Sequence, residues 1–107
     1  MTAPDADVAR SLGRQLVESD LCAGVNIIPG AISIYHWQGE ICERQEWLLL
    51  AQASQDALPN IFALIGERHP YVTPCALAWP APAGLEPFLR WIAANSQGQR
   101  QGAFTGT

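Results

Sequence analysis

The side chains best suited to chemistry are two soft donors, His69 and Cys75, six positions apart. Imidazole and thiolate together suit copper or zinc. A structural zinc site needs about four ligands and a catalytic one about three, and His36 lies far along the chain. The pair is therefore an incomplete ligand set, and His69 reads as a structural histidine whose ring is satisfied beside a helix end. Cys22, Cys42 and Cys75 make an odd count with no CxxC spacing, which is no disulfide framework and fits a reducing compartment. Cys22 and Cys75 stand at the starts of strand-like runs and are expected to pack as small hydrophobes. Cys42 sits among Glu40, Glu43 and Glu46, acids that oppose thiolate formation. Those glutamates recur every third residue, but strand residues three apart face opposite sides, so they read as a solvated hairpin edge. Tyr35 and Trp37 share a strand face and could stack a ligand, though packing is the simpler use of such rings. No GxSxG, GxxxxGK[ST], HExxH or GxGxxG occurs. Nothing in these motifs argues for an enzyme.

The chain that must position these groups has 107 residues, enough for one domain. It is 49% hydrophobic and 15% charged, with a net charge of −4. All six basic residues are arginines, scattered from Arg10 to Arg100, so no basic stripe exists to neutralise phosphates. Nucleic acid is not an expected partner. The start MTAPDADVAR has neither the basic nor the apolar part of a signal peptide. The longest apolar run, Trp47 to Ala51, is far short of the ~20 residues that span a bilayer. A cytoplasmic protein without membrane contact is expected.

Periodicity divides the chain into elements. Residues 5–21 read as a helix, with Asp5 or Asp7 as cap and Val8, Leu12 and Leu16 as its buried stripe. Residues 22–38 read as a long strand interrupted at Pro29-Gly30, where proline cannot donate to a ladder, so a bulge or kink is expected. Gln38-Gly39 makes a turn, and Glu40 to Ala53 returns as a second strand. Residues 54–68 form a helix with Ser54 or Asp56 as cap, Pro59 in its first turn and Leu58, Ile61, Phe62, Leu64 and Ile65 inward. His69-Pro70 ends it. Val72 to Trp79 is expected to be a further strand, and Leu85 to Ala94 a helix burying Phe88, Leu89 and Ile92. Residues 1–95 make one domain, and the Gly/Gln-rich 96–107 a disordered tail. The order is helix, hairpin, helix, strand, helix. One strand added in front makes it α+β of the ferredoxin-like βαββαβ plan, with an extra C-terminal helix, a long hairpin and the first strand missing from this chain.

The segments TAPD, NIIPG-x-x-SIY-x-WQGE, HPY-x-x-P and LEPFLRWI resemble the CutA divalent-cation-tolerance family over residues 2 to about 95. That resemblance implies a ferredoxin-like fold, a homotrimer joined through the long hairpin, and a role in tolerance to divalent metal ions, copper among them, by binding rather than catalysis. Pro29-Gly30 would then bend a strand that serves its own sheet first and a neighbour's second. Copper ligands proposed in the family fall at Met1, Arg68 and Cys75 here, none of which matches, and the family's strand-end lysine is replaced by Gln52. The alternative reading is a metal-independent trimeric assembly or signalling module, similar to the PII proteins, that presents an intersubunit pocket or surface to a small molecule or protein.

Overall fold

The computed structural model describes residues 1–97. Its elements are β1 (Thr2–Ala3), α1 (Ala6–Glu18), β2 (Gly24–Trp37), β3 (Glu40–Gln52), a single 3-10 turn (Gln55–Ala57), α2 (Leu58–Arg68) and α3 (Glu86–Asn95). The sheet is antiparallel in the order β1-β3-β2.

Helix α1 starts where a short acid can satisfy its free N–H groups: the Asp5 carboxylate accepts from Val8 N at 2.8 Å. Its stripe of Ala9, Leu12 and Leu16 is buried. On one side it packs with Ala3 and Leu49, and on the other with Leu21, Cys22, Ala57, Ile61 and Ile65. The core is thus a layer between α1, α2 and one face of the sheet. In α2 only Ile61 and Ile65 of the expected stripe are fully buried, and Phe62 is 41% exposed. Ser54 precedes the 3-10 turn without capping it, because its hydroxyl donates to the Ser96 carbonyl instead.

The hairpin is built as its residues suggest. Gln38 and Gly39 have φ of 50° and 81°, the left-handed pair that a tight two-residue turn requires. At the other break, Gly30 has φ of 85°. There the register moves from Ile28↔Leu48 to Ala31↔Glu46, so β2 carries one residue more than β3. That extra residue exchanges the faces of β2. Before it, Val25 and Ile27 lie against α1 at Gly13; after it, Ala31, Ser33 and Tyr35 turn to the opposite, open face.

Three expected elements differ. The first strand, expected to be missing, is present as the two-residue β1, paired with β3 through Thr2↔Leu48 and Ala3↔Trp47. Residues 72–79 form no strand: Val72, Leu77 and Trp79 are 88%, 66% and 78% exposed on an unpaired extended segment. An extended run needs a ladder partner, and β1, with two residues both engaged by β3, offers no length for one. Helix α3 forms as expected but buries nothing; Phe88, Leu89 and Trp91 stay 47%, 42% and 42% exposed. It touches the sheet at Gly24, where an added Cβ would stand 3.1 Å from the Trp91 ring and 2.8 Å from Gln52 Oε1.

The helix is fastened at its end. Ser96, buried, donates to the Leu21 carbonyl at 2.6 Å and accepts from Ser54 N at 2.8 Å, while Gln97 N donates to the Asp20 carbonyl at 2.7 Å. The first two residues of the expected tail are therefore anchored, and its remainder lies outside the described residues.

Candidate functional site

Past the bulge the open face of the hairpin gathers Ala31, Ser33 and Tyr35 from β2 with Glu46, Arg44 and Cys42 from β3. Glu46 is the unexpected member. It is 4% exposed, not part of a solvated edge, because the Tyr71 hydroxyl reaches over it from the segment after α2 and donates to its carboxylate. Burial pushes the Glu46 carboxyl up, but hydrogen bonds from Ser33, Tyr71 and Thr2, with the charge of Arg44, outweigh that and hold it below the usual range. The Tyr71 phenol moves the opposite way, raised by its own burial and then by the carboxylate it serves.

Arg44 lies over the Tyr71 ring, 5.1 Å from its centroid. Tyr35, on the same face, is the largest of the influences that raise the already high pKa of Arg44. The other face of the arrangement is His69, whose ring is tilted 51° to Tyr71 with centroids 4.6 Å apart. His69 is buried, and both its nitrogens are committed: Nδ1 accepts from Tyr71 N at 3.1 Å, which leaves Nε2 to donate to the Thr2 carbonyl at 2.8 Å. This matches the structural role read from sequence, and it leaves no lone pair for a metal on that ring.

Cys75 is exposed, contrary to the expectation that it packs as a small hydrophobe, because the strand that would have buried it does not form. Cys22 does pack in the core, and burial pushes its thiol up to about 12. All three cysteines are free. Among the described residues no three His, Cys, Asp or Glu side chains are grouped closely enough to hold a metal ion. His36 lies out on the hairpin, away from His69. The structure thus gives the two soft donors no third ligand among the described residues. It joins Glu46, Tyr71, Arg44 and Tyr35, which sequence reading had dispersed among an edge, a loop and a packing surface. The signal that could have linked them is strand parity: counting back from the core residue Leu49 puts Glu46 and Arg44 together on the open face.

The remaining large feature is apolar. Ile32, Ile34 and Ile41 share the helix-side face of the hairpin but extend beyond the helices, and stand 67%, 65% and 72% exposed.

A helical layer on one face of an antiparallel sheet, with a two-stranded arm running past it, defines an α+β protein of ferredoxin-like type. The family model described as CutA1 divalent ion tolerance protein matches residues 1–95, and the chain belongs to that family. It is 42% identical to the divalent-cation tolerance protein CutA of Thermus thermophilus over 96 residues, covering 90% of this chain and 93% of the relative. The solved structure of the divalent cation tolerance protein from Thermus thermophilus superposes with a TM-score of 0.87 at the same identity and coverage. CutA from Xylella fastidiosa has a TM-score of 0.86 at 35% identity, covering 90% of this chain and 92% of that one. The Archaeoglobus fulgidus protein, described as a periplasmic divalent cation tolerance protein, has a TM-score of 0.86 at 31% identity and covers 90% and 93%.

Proposed function

We propose that this protein is a homotrimer joined through the β2–β3 hairpin, that it takes part in tolerance of or response to divalent metal ions, copper included, and that it acts by binding rather than catalysis. The observation that carries this reading is the arm itself. Three isoleucines 65% or more exposed on one face of a strand pair are a surface that water disfavours and a second copy can cover. Exposed Leu77, Trp79 and Leu85 extend the apolar area available to such contacts. The metal role follows from the family, and the exposed Cys75 thiol is a soft donor accessible to an ion within this chain. A complete ligand set would draw on more than one copy. Three free thiols suit a reducing cytoplasm.

The alternative is a metal-independent trimeric module of the PII kind, which presents an intersubunit pocket or surface to a small molecule or protein. The closed hydrogen bonding of His69 favours it.

Native mass spectrometry during Cu²⁺ and Zn²⁺ titration, with a Cys75→Ser variant alongside, separates the two. A species of about 35 kDa, three chains of 11.6 kDa, that takes up stoichiometric metal and loses it with Cys75→Ser supports the metal role. A trimer that takes up none leaves the assembly module. A monomer refutes both.

A further inference from the structure

We infer that Arg44 and Tyr35, backed by the Glu46–Tyr71 pair, form a binding site for the oxyanion group of a small molecule, a carboxylate or a phosphate. The five described arginines differ in their partners. Arg14, Arg68 and Arg90 each have a glutamate within ion-pair distance, all local neighbours in sequence. Arg10 and Arg44 have no such ion pair among the described residues. Around Arg10 nothing is built; around Arg44 a great deal is.

Tyr71 lies beneath its guanidinium at 5.1 Å and is itself held at both ends, by its hydroxyl to Glu46 and by its backbone N–H to His69 Nδ1 at 3.1 Å. A phenol donating to a carboxylate has a more electron-rich ring, which strengthens its attraction for a cation. Glu46 does not neutralise Arg44 by direct pairing among the described residues; its carboxylate instead takes the Tyr71 hydroxyl. Burying a carboxylate is costly unless such donors surround it, so this arrangement is a fixed platform and not a mobile surface pair.

What the platform presents is a guanidinium with fork N–H donors still unused. Tyr35 stands diagonal to Arg44 on the same open face, and its phenol O–H is a further donor there. Two parallel N–H groups of one guanidinium with a phenol O–H on the same face match the planar oxygens of a carboxylate or two oxygens of a phosphate. Trp37 stands two residues from Tyr35 on the same strand face and is 40% exposed, so a ligand with a flat apolar body has a ring to rest on. This site is separate from any metal role and does not use Cys75.

The test is calorimetric titration of the intact protein, in low-chloride buffer, with benzoate and in parallel with inorganic phosphate. ¹⁵N-detected shifts of the arginine Nε–H groups are followed at the same time. Saturable binding that moves the Arg44 signal, weakens roughly tenfold or more in Arg44→Gln, less in Arg44→Lys, and several-fold in Tyr35→Phe, establishes the site. The anion that saturates at the lower concentration identifies the source chemistry. Neither anion saturating, or Arg44→Gln binding as the parent does, overturns the proposal. So does dissociation of the native assembly by Arg44→Gln, which would mean that a carboxylate of a second copy already holds the guanidinium.

Discussion

His69 Nε2 donates to the carbonyl of Thr2 across 67 positions of sequence, at 2.8 Å, and so ties the end of α2 to β1. The same ring accepts from Tyr71 N and thereby aims the tyrosine at Glu46. A single buried imidazole thus connects the helical layer to the open face of the sheet.

Replacing it exposes what it satisfies. His69→Ala leaves the Thr2 carbonyl and the Tyr71 amide without partners, each worth about 1–3 kcal/mol where buried. The urea midpoint should fall with an unchanged slope, and Tyr71 should lose its fixed position. If His69 were instead a metal ligand, the variant would lose metal uptake with little change in that midpoint.

Glu46 gives a pH dependence whose sign can be worked out. Its carboxyl is held below its ordinary value of 4.5 in the folded chain, so the unfolded chain binds a proton first as pH falls. The stability it contributes is complete above 4.5 and is lost as pH drops through the lowered value. Chemical denaturation between neutral pH and about pH 3 should show a steeper decline for the parent than for Glu46→Gln. Tyr71→Phe should reduce the difference and cost about 1–3 kcal/mol at pH 7, because it removes one donor to a buried charge. Identical pH slopes for parent and Glu46→Gln would show that the carboxylate is not specially held.

Much of this layout was readable before any coordinates. The Asp5 cap, the stripe of Leu12 and Leu16, the break at Pro29-Gly30 and the turn at Gln38-Gly39 are local matters of period and backbone geometry. Glu46 was not readable, because its burial is supplied by Tyr71, 25 residues on, and by a face exchange at the bulge. The 72–79 segment failed as a strand for a related reason. Its residues have strand character, but a strand exists only with a ladder partner, and no local pattern reveals whether one is present. Helix α3 repeats the lesson: its apolar stripe is real, but what would cover Phe88 and Leu89 is not in the described chain.

The hairpin arm makes the next prediction. Ile34→Glu places a charge at the middle of the exposed isoleucine face, opposite Glu43 in the same pair, where like charges repel. For the proposed trimer, sedimentation equilibrium should shift from about 35 kDa toward the single-chain 11.6 kDa. Arg10→Glu on exposed α1 is the control and should leave the mass unchanged. A trimer that survives Ile34→Glu would place the interface elsewhere.

The anchoring of α3 can be tested independently of any partner. Ser96 is buried where three segments meet, and its hydroxyl both donates to Leu21 and accepts from Ser54. Ser96→Ala leaves the Leu21 carbonyl and the Ser54 amide unpaired, which costs about 1–3 kcal/mol for each group that water cannot reach. Because α3 buries none of its own side chains, little else opposes its release. Local opening should therefore outpace global unfolding. Amide exchange should accelerate most over 86–97, with Trp91 leaving Gly24 and changing its fluorescence, while the amides of α1 keep their protection. Uniform acceleration across α1 and the sheet would instead show that Ser96 supports the whole core, and that α3 is held by the sheet rather than by its end.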